Sequence, residues 1–147
     1  MKRAAGSEPG QSRIFLSPTN LEARQNREFR ISVNARIQEE VGNMALNISF
    51  NAAVLRLKDV VKREFLNRLG RDVPFLKSID NSSGTCTIGF SSTEIDKGLK
   101  GTGSLATLIF EPVGKGESII TVTSVSGNSP AGESLSFTTG QSRVIVR

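Results

Sequence analysis

The stretch Glu28-Phe29-Arg30-Ile31-Ser32-Val33-Asn34-Ala35-Arg36-Ile37-Gln38 alternates apolar and polar side chains without a break. Successive side chains of a strand point to opposite faces. This run is therefore a strand with Phe29, Ile31, Val33, Ala35 and Ile37 turned inward and the charged and amide residues in water. After Glu39-Glu40-Val41-Gly42 the pattern resumes, with Met44, Leu46, Ile48 and Phe50 on one side and Ala45, Asn47 and Ser49 on the other. Two long half-buried strands in quick succession predict a hairpin within an antiparallel sheet.

Working outward, Asn51-Ala52-Ala53 reads as a turn and Val54-Leu55-Arg56-Leu57 as the start of the next strand, with Leu55 and Leu57 inward. Between residues 59 and 69, Val61, Phe65, Leu66 and Leu69 approximate one face of a helix, which allows a short helix there. Pro74 returns the chain to extended structure, so residues 75–79 read as strand. Asp80-Asn81-Ser82-Ser83-Gly84 is a turn by composition, and residues 85–91 are the following strand. A Gly/Lys-rich loop over 96–103 leads into residues 104–111, which are apolar on both sides. Residues 118–125, Leu135 with Phe137, and 143–147 supply the remaining strands. The regular turn spacing predicts about nine or ten strands, an all-β sandwich or barrel over residues 13–147, behind a flexible tail at 1–12.

The chain has 147 residues, enough for one domain, with no histidine, tryptophan or tyrosine and a single cysteine. Without histidine there is no Ser-His-Asp or Cys-His relay and no imidazole metal ligand, so enzymatic chemistry recedes. Without tryptophan and tyrosine the usual stacking platforms for sugars and unpaired bases are gone. Cys86 alternates with Ile88 and Phe90 and is expected to be a buried, inert thiol. The formal net charge is +5, but the excess collects in residues 56–77, where Arg56, Lys58, Lys62, Arg63, Arg68, Arg71 and Lys77 face Asp59, Glu64 and Asp72. That is a patch rather than the long basic stripe of a nucleic-acid binder, so no nucleic-acid partner is expected. No apolar run reaches the length of a membrane helix.

Gly101-Thr102-Gly103-Ser104-Leu105-Ala106 has dinucleotide-fingerprint spacing, but a polar loop precedes it and a β-prone run follows, the reverse of the context that motif needs. Its glycines, like those of Gly114-Lys115-Gly116, read as turn residues. Residues 80–84 lack the distal glutamate of a calcium loop and read as an Asx turn. Glu22, Glu28, Glu111, Glu117 and Glu133 fall at strand ends or outer positions, as solvated charges. No metal and no cofactor is expected.

Three ordered stretches resemble cohesin modules over roughly residues 14–146. Met44-Ala45-Leu46-Asn47-Ile48-Ser49-Phe50-Asn51-Ala52-Ala53-Val54-Leu55 looks like the family's strand that ends in an aromatic, a short turn and a Val-Leu pair. Residues 84–92 are similar to its Gly-Thr-x-x-x-x-Phe-Ser-Ser segment. Gly101 to Phe110, followed by Gly116-Glu117-Ser118-Ile119-Ile120-Thr121-Val122, looks like its glycine-led Leu-Ala-Thr-Leu-x-Phe strand and the strand after it. Phe65-Leu66 with residues 74–80 look closer to cohesin-like domains of bacterial secretins and surface proteins than to those of cellulosome scaffolds.

The resemblance implies an all-β, two-sheet antiparallel sandwich of nine strands with jelly-roll topology. It implies a non-catalytic module for protein–protein attachment. Its partner would be a dockerin, a small calcium-loaded helical module, or a component of a secretion or surface assembly, and its place extracellular or in the cell envelope. By alignment and alternation the binding face would carry Ala45, Asn47, Ser49, Lys77, Thr85, Thr87, Gly89, Ile119, Thr121 and Thr123, a flat, small-residue, nearly uncharged surface. Two alternatives stand beside it: a passive structural domain of a secretin or surface protein, and a carbohydrate- or anion-binding module using the basic patch Arg56, Lys58, Lys62, Arg63, Arg68 and Arg71.

Overall fold

The computed structural model describes residues 12–69, 73–92 and 98–147. In chain order the strands are β1 (Ser12–Ser17), β2 (Asn20–Ala23), β3 (Phe29–Val41), β4 (Asn43–Ser49), β5 (Leu55–Lys62), β6 (Phe75–Asp80), β7 (Thr85–Ser91), β8 (Leu99–Pro112), β9 (Gly116–Asn128), β10 (Ser134–Leu135), β11 (Phe137–Thr139) and β12 (Gln141–Val146). One 3₁₀ helix, Glu64–Leu69, interrupts them. The first sheet runs β11-β1-β3-β8-β5. The second runs β2-β12-β9-β4-β7-β6, with β10 added to β9. Pairings are antiparallel except β1 with β11 and β12 with β2. The two sheets close as a jelly-roll sandwich.

The inward set of the opening stretch forms the core as its alternation requires: Ile31, Val33, Ala35 and Ile37 are buried, and Phe29 packs against them from the margin. From the facing sheet come Met44, Leu46, Ile48, Cys86, Ile88, Phe90, Ile120, Val122 and Val144. Phe110 is fully buried at the centre, stacked on Phe29 at 5.5 Å between ring centroids and met edge-on by Phe50 at 5.3 Å. Such aromatic pairs add about 0.5–1.5 kcal/mol each beyond area burial.

Four expectations change. The hairpin between the first two strands does not form: β3 pairs with β1 and β8, whereas β4 lies in the other sheet between β7 and β9. Only Gly42 separates them, too little chain for a hairpin turn, so the backbone crosses straight from one sheet to the other. Gly42 is pinned there by Gly42 N–H donating to the Asn128 carbonyl and Ser92 N–H donating to its own, both at 2.7 Å. Second, the described residues hold twelve strands rather than about nine or ten: β1 and β2 fall outside the stretches read as strands above, and the one short strand at Leu135 and Phe137 is two, β10 paired with β9 in the second sheet and β11 with β1 in the first. Third, Gly101 and Gly103 are not turn residues but lie inside β8. A Cβ on Gly103 would sit 2.5 Å from the Phe65 ring, so the glycine admits that aromatic. Fourth, residues 59–69 are not one helix. β5 continues to Lys62, leaving Val61 41% exposed, and Phe65, Leu66 and Leu69 then cap the core from the 3₁₀ helix. Ser12 is already part of β1, and its Oγ accepts a hydrogen bond from Gln38 N–H at 2.9 Å. The Asx turn at 80–84 stands: Asp80 Oδ1 accepts from Ser82 N–H at 3.0 Å and Ser83 N–H at 3.2 Å.

Candidate binding face

The outer face of the second sheet is built by β9, β4, β7 and β6 side by side. Met44, Leu46 and Ile48 bury the inner side of β4, so Ala45, Asn47 and Ser49 are left facing out. In register beside them on β7 stand Gly89, Thr87 and Thr85. Asn47 organises the centre. It donates from Nδ2 to Ser124 Oγ at 2.8 Å, and its Oδ1 accepts from Thr87 Oγ1 at 2.7 Å. Thr123 Oγ1 donates to its backbone carbonyl at 3.2 Å. The amide thus bridges three strands and holds its neighbours' hydroxyls in fixed directions.

Of the residues assigned to this face from sequence, Ala45, Asn47, Ser49, Thr85, Thr87, Gly89, Ile119 and Thr121 occupy it. Lys77 does not. On β6 it pairs with the buried Ile88, and Leu76 and Ser78 pair with Gly89 and Thr87, so Lys77 belongs to the inward side. Because β6 is an edge strand, its long side chain leaves the core sideways. It spans the gap between the sheets and donates to Asp59 Oδ1 at 2.5 Å and to the Val60 carbonyl at 2.9 Å. Thr123 sits in a bulge, since β9 shifts register against β4 between Asn47 and Ile48. Beyond it Ser124 and Ser126 take the outer positions. Sequence reasoning missed these two serines, although the three-residue step from Val122 to Val125 in place of two is the signal of the bulge.

It also missed Leu76, the most exposed large apolar side chain among the described residues at 62%. Leu76 lies over Gly89, where a Cβ would come within 3.8 Å of the leucine side chain and 3.3 Å of the Met44 carbonyl oxygen. With Met44, Ala45, Pro74, Phe75, Phe90 and Ser91 they line a shallow groove of about 410 Å³ at the β6 border. Along the same border Asp80 carries the only carboxylate of β6. Hydrogen bonds from the Ser82 and Ser83 hydroxyl and backbone groups hold its carboxyl below the ordinary aspartate value. At the opposite border the charges are mutually neutralised: Arg143 bonds Glu117 and Arg147 bonds Glu22. The face therefore has an uncharged hydroxyl and amide centre, one apolar groove and one paired-charge margin. Among the described residues no three metal-ligating side chains converge.

The cations of the basic patch have different surroundings. Arg56 and Lys58 are paired with Glu111 and Glu28. Lys62 ends β5, Arg63 and Arg68 flank a separate groove, and Arg71 lies outside the described residues. Cys86 is buried at 1% exposure, and desolvation pushes its thiol up to about 11.

The sequence profile of the cohesin domain matches residues 15–140. Among solved structures, the fold is similar to that of a non-cellulosomal cohesin from the hyperthermophilic archaeon Archaeoglobus fulgidus, at 18% identity over 93% of this chain and 91% of that one, with a TM-score of 0.76. It is also similar to CaCohA2 from Clostridium acetobutylicum, at 19% identity over 91% and 90% of the two chains and a TM-score of 0.73. A chain from a type I cohesin–dockerin complex of Clostridium thermocellum superposes with a TM-score of 0.78, at 10% identity over 93% and 99%. Among curated proteins, none matches the sequence.

Proposed function

The chain belongs to the cohesin family, and from that premise we propose that it is a non-catalytic attachment module that receives a dockerin-type partner on the outer face of its second sheet. The observation that carries this reading is the face itself. Asn47, Thr87 and Ser124 form a fixed, uncharged polar centre, and the exposed Leu76 lies beside the groove over Gly89. A preorganised polar patch next to an apolar anchor site is the arrangement in which a few residues carry most of the binding energy. The solved complex from Clostridium thermocellum is of a cohesin with a dockerin, which supports the partner class. An extracellular or surface-attached setting within a larger protein accords with that role.

The test is biolayer interferometry of the purified chain against a panel of calcium-loaded dockerins. At least one should bind, and Asn47→Arg or Leu76→Asp should weaken it by about 2 kcal/mol or more, roughly thirtyfold. Stripping calcium from the dockerin with a chelator should abolish the signal. Binding that survives both substitutions unchanged would place the partner elsewhere.

A further inference from the structure

The outer face of the first sheet carries a second feature, a band of guanidinium groups at one end of the sandwich. Arg13 of β1 stands directly opposite Arg36 of β3, and Arg36 stands opposite Thr102 of β8. β5 ends its pairing with β8 at Lys62 and Ala106, so among the described residues the stretch of β8 from Leu99 to Leu105 is flanked on that side by the 3₁₀ helix and not by a strand. A groove of about 400 Å³ opens there, lined by Arg63, Glu64, Phe65, Arg68 and residues 102–104. Both arginines at its mouth are held in place. Arg63 donates to Thr107 Oγ1 at 3.4 Å, and Arg68 donates to the Lys100 carbonyl at 2.9 Å while stacking 4.8 Å from the Phe65 ring centroid.

Three features set this band apart from an ordinary solvated surface. Like charges directly across a strand pair are unfavourable, yet Arg13 and Arg36 are so placed. On the same sheet Arg56 and Lys58 each have a carboxylate partner, whereas among the described residues Arg13, Arg36, Arg63 and Arg68 meet no carboxylate partner within salt-bridge distance, and Glu64 is the one carboxylate lining the groove. The guanidinium forks already bonded on one side keep further N–H donors for a carboxylate, with little ordering left to lose.

We propose that this band is a docking surface for an acidic polypeptide segment, with one carboxylate seated between Arg63 and Arg68 and others against Arg36 and Arg13. A polypeptide fits better than an acidic polysaccharide. The two aromatic rings nearby are covered, Phe15 by Arg13 at 5.1 Å and Phe65 by Arg68, so no flat apolar face remains for a sugar ring. The Lys100 and Leu105 carbonyls at this edge of β8 already accept from the Arg68 guanidinium and the Arg63 N–H, so recognition rests on the guanidinium groups and their remaining donors.

The probe is a fluorescein-labelled oligoglutamate peptide, followed by anisotropy with the full chain. It should bind, and binding should weaken at least about tenfold as ionic strength rises from about 0.01 to 0.15 M, where the Debye length falls from about 30 to 8 Å. Arg36→Glu with Arg68→Glu should remove binding, and the milder Arg36→Gln with Arg68→Gln should weaken it about tenfold or more. Arg24→Glu with Lys115→Glu makes the same change in net charge away from the band and should retain it. Equal loss in both charge-reversed variants would overturn the proposal, as would no binding, or binding of polygalacturonate in preference to the peptide. Leu76→Asp, on the other sheet, should leave the peptide's affinity unaltered, which separates failure here from failure of the dockerin reading.

Discussion

Asn47 does at the scale of one side chain what defines the proposed site: it ties β9, β4 and β7 together from the solvent side while nearby Ala45 and Ser49 stay small. Its replacement by alanine removes two exposed hydrogen bonds, each worth about 0.5–1.5 kcal/mol at most, so the fold should survive and only partner affinity should fall. Thermal melting alongside binding measurements separates the two effects. On the inner side of the same sheet, Cys86 is buried with its thiol raised to about 11. The native protein should therefore resist a thiol-reactive disulfide reagent at neutral pH and react fully once denatured; rapid reaction of the folded chain would show that the strand opens. The surface carboxylates set the acid response. Glu22 and Glu28, hydrogen-bonded to Arg147 and Lys58, lie below their ordinary value of 4.5, and Asp59, bonded to Lys77 and to the adjacent Val60 N–H within β5, lies below 3.8. Groups depressed in the folded state stabilise it above their unfolded values and lose that contribution as pH falls through the folded ones. The melting temperature should thus hold from neutrality to about pH 5 and fall below about pH 4, modestly because every one of these pairs is exposed.

At the scale of elements, β8 and β6 show where physics beyond alternation decides. Gly103 of β8 is there for Phe65, which a Cβ would strike at 2.5 Å. Gly103→Val should cost about 1–3 kcal/mol, read as a lower midpoint of chemical denaturation, with the 3₁₀ helix the first part to loosen. The long strands β3, β4 and β7 were legible because each keeps a strict period of two with one face buried. The outer positions that follow from them, including Asn47 and Thr87, were legible with them. β6 was not: Phe75 and Leu76 are adjacent apolar residues, so periodicity cannot say which points inward, and only pairing with β7 turns Leu76 out and Lys77 toward the other sheet. The same limit hid the sheet crossing at Gly42, since alternation reports which side of a strand is buried and not which sheet the strand joins. Ser124 and Ser126 were missed because the bulge at Thr123 shifts every later side chain of β9 to the other face.

At the scale of the whole molecule, the two ends of the chain close both sheets. β1 pairs with β11, and β12 lies between β2 and β9, placing the buried Val144 and Val146 in the core. Removing residues 134–147 should leave a chain that does not fold cooperatively, seen as loss of a sigmoidal melt by circular dichroism; a truncated chain that still melted sharply would show the terminal strands to be accessory. With nearly all strand pairing between distant segments, refolding should take milliseconds to seconds rather than microseconds. The second sheet thereby presents an outer side that no other described strand covers, while the arginine band lies on the opposite sheet. The most direct measurement of the central claim is nuclear magnetic resonance shift mapping of the isotopically labelled chain, titrated with a calcium-loaded dockerin that binds it. Perturbed amides should cluster on β4, β6, β7 and β9 around Asn47, Leu76 and Thr87. A cluster confined to β1, β3 and β8 of the first sheet would contradict that claim.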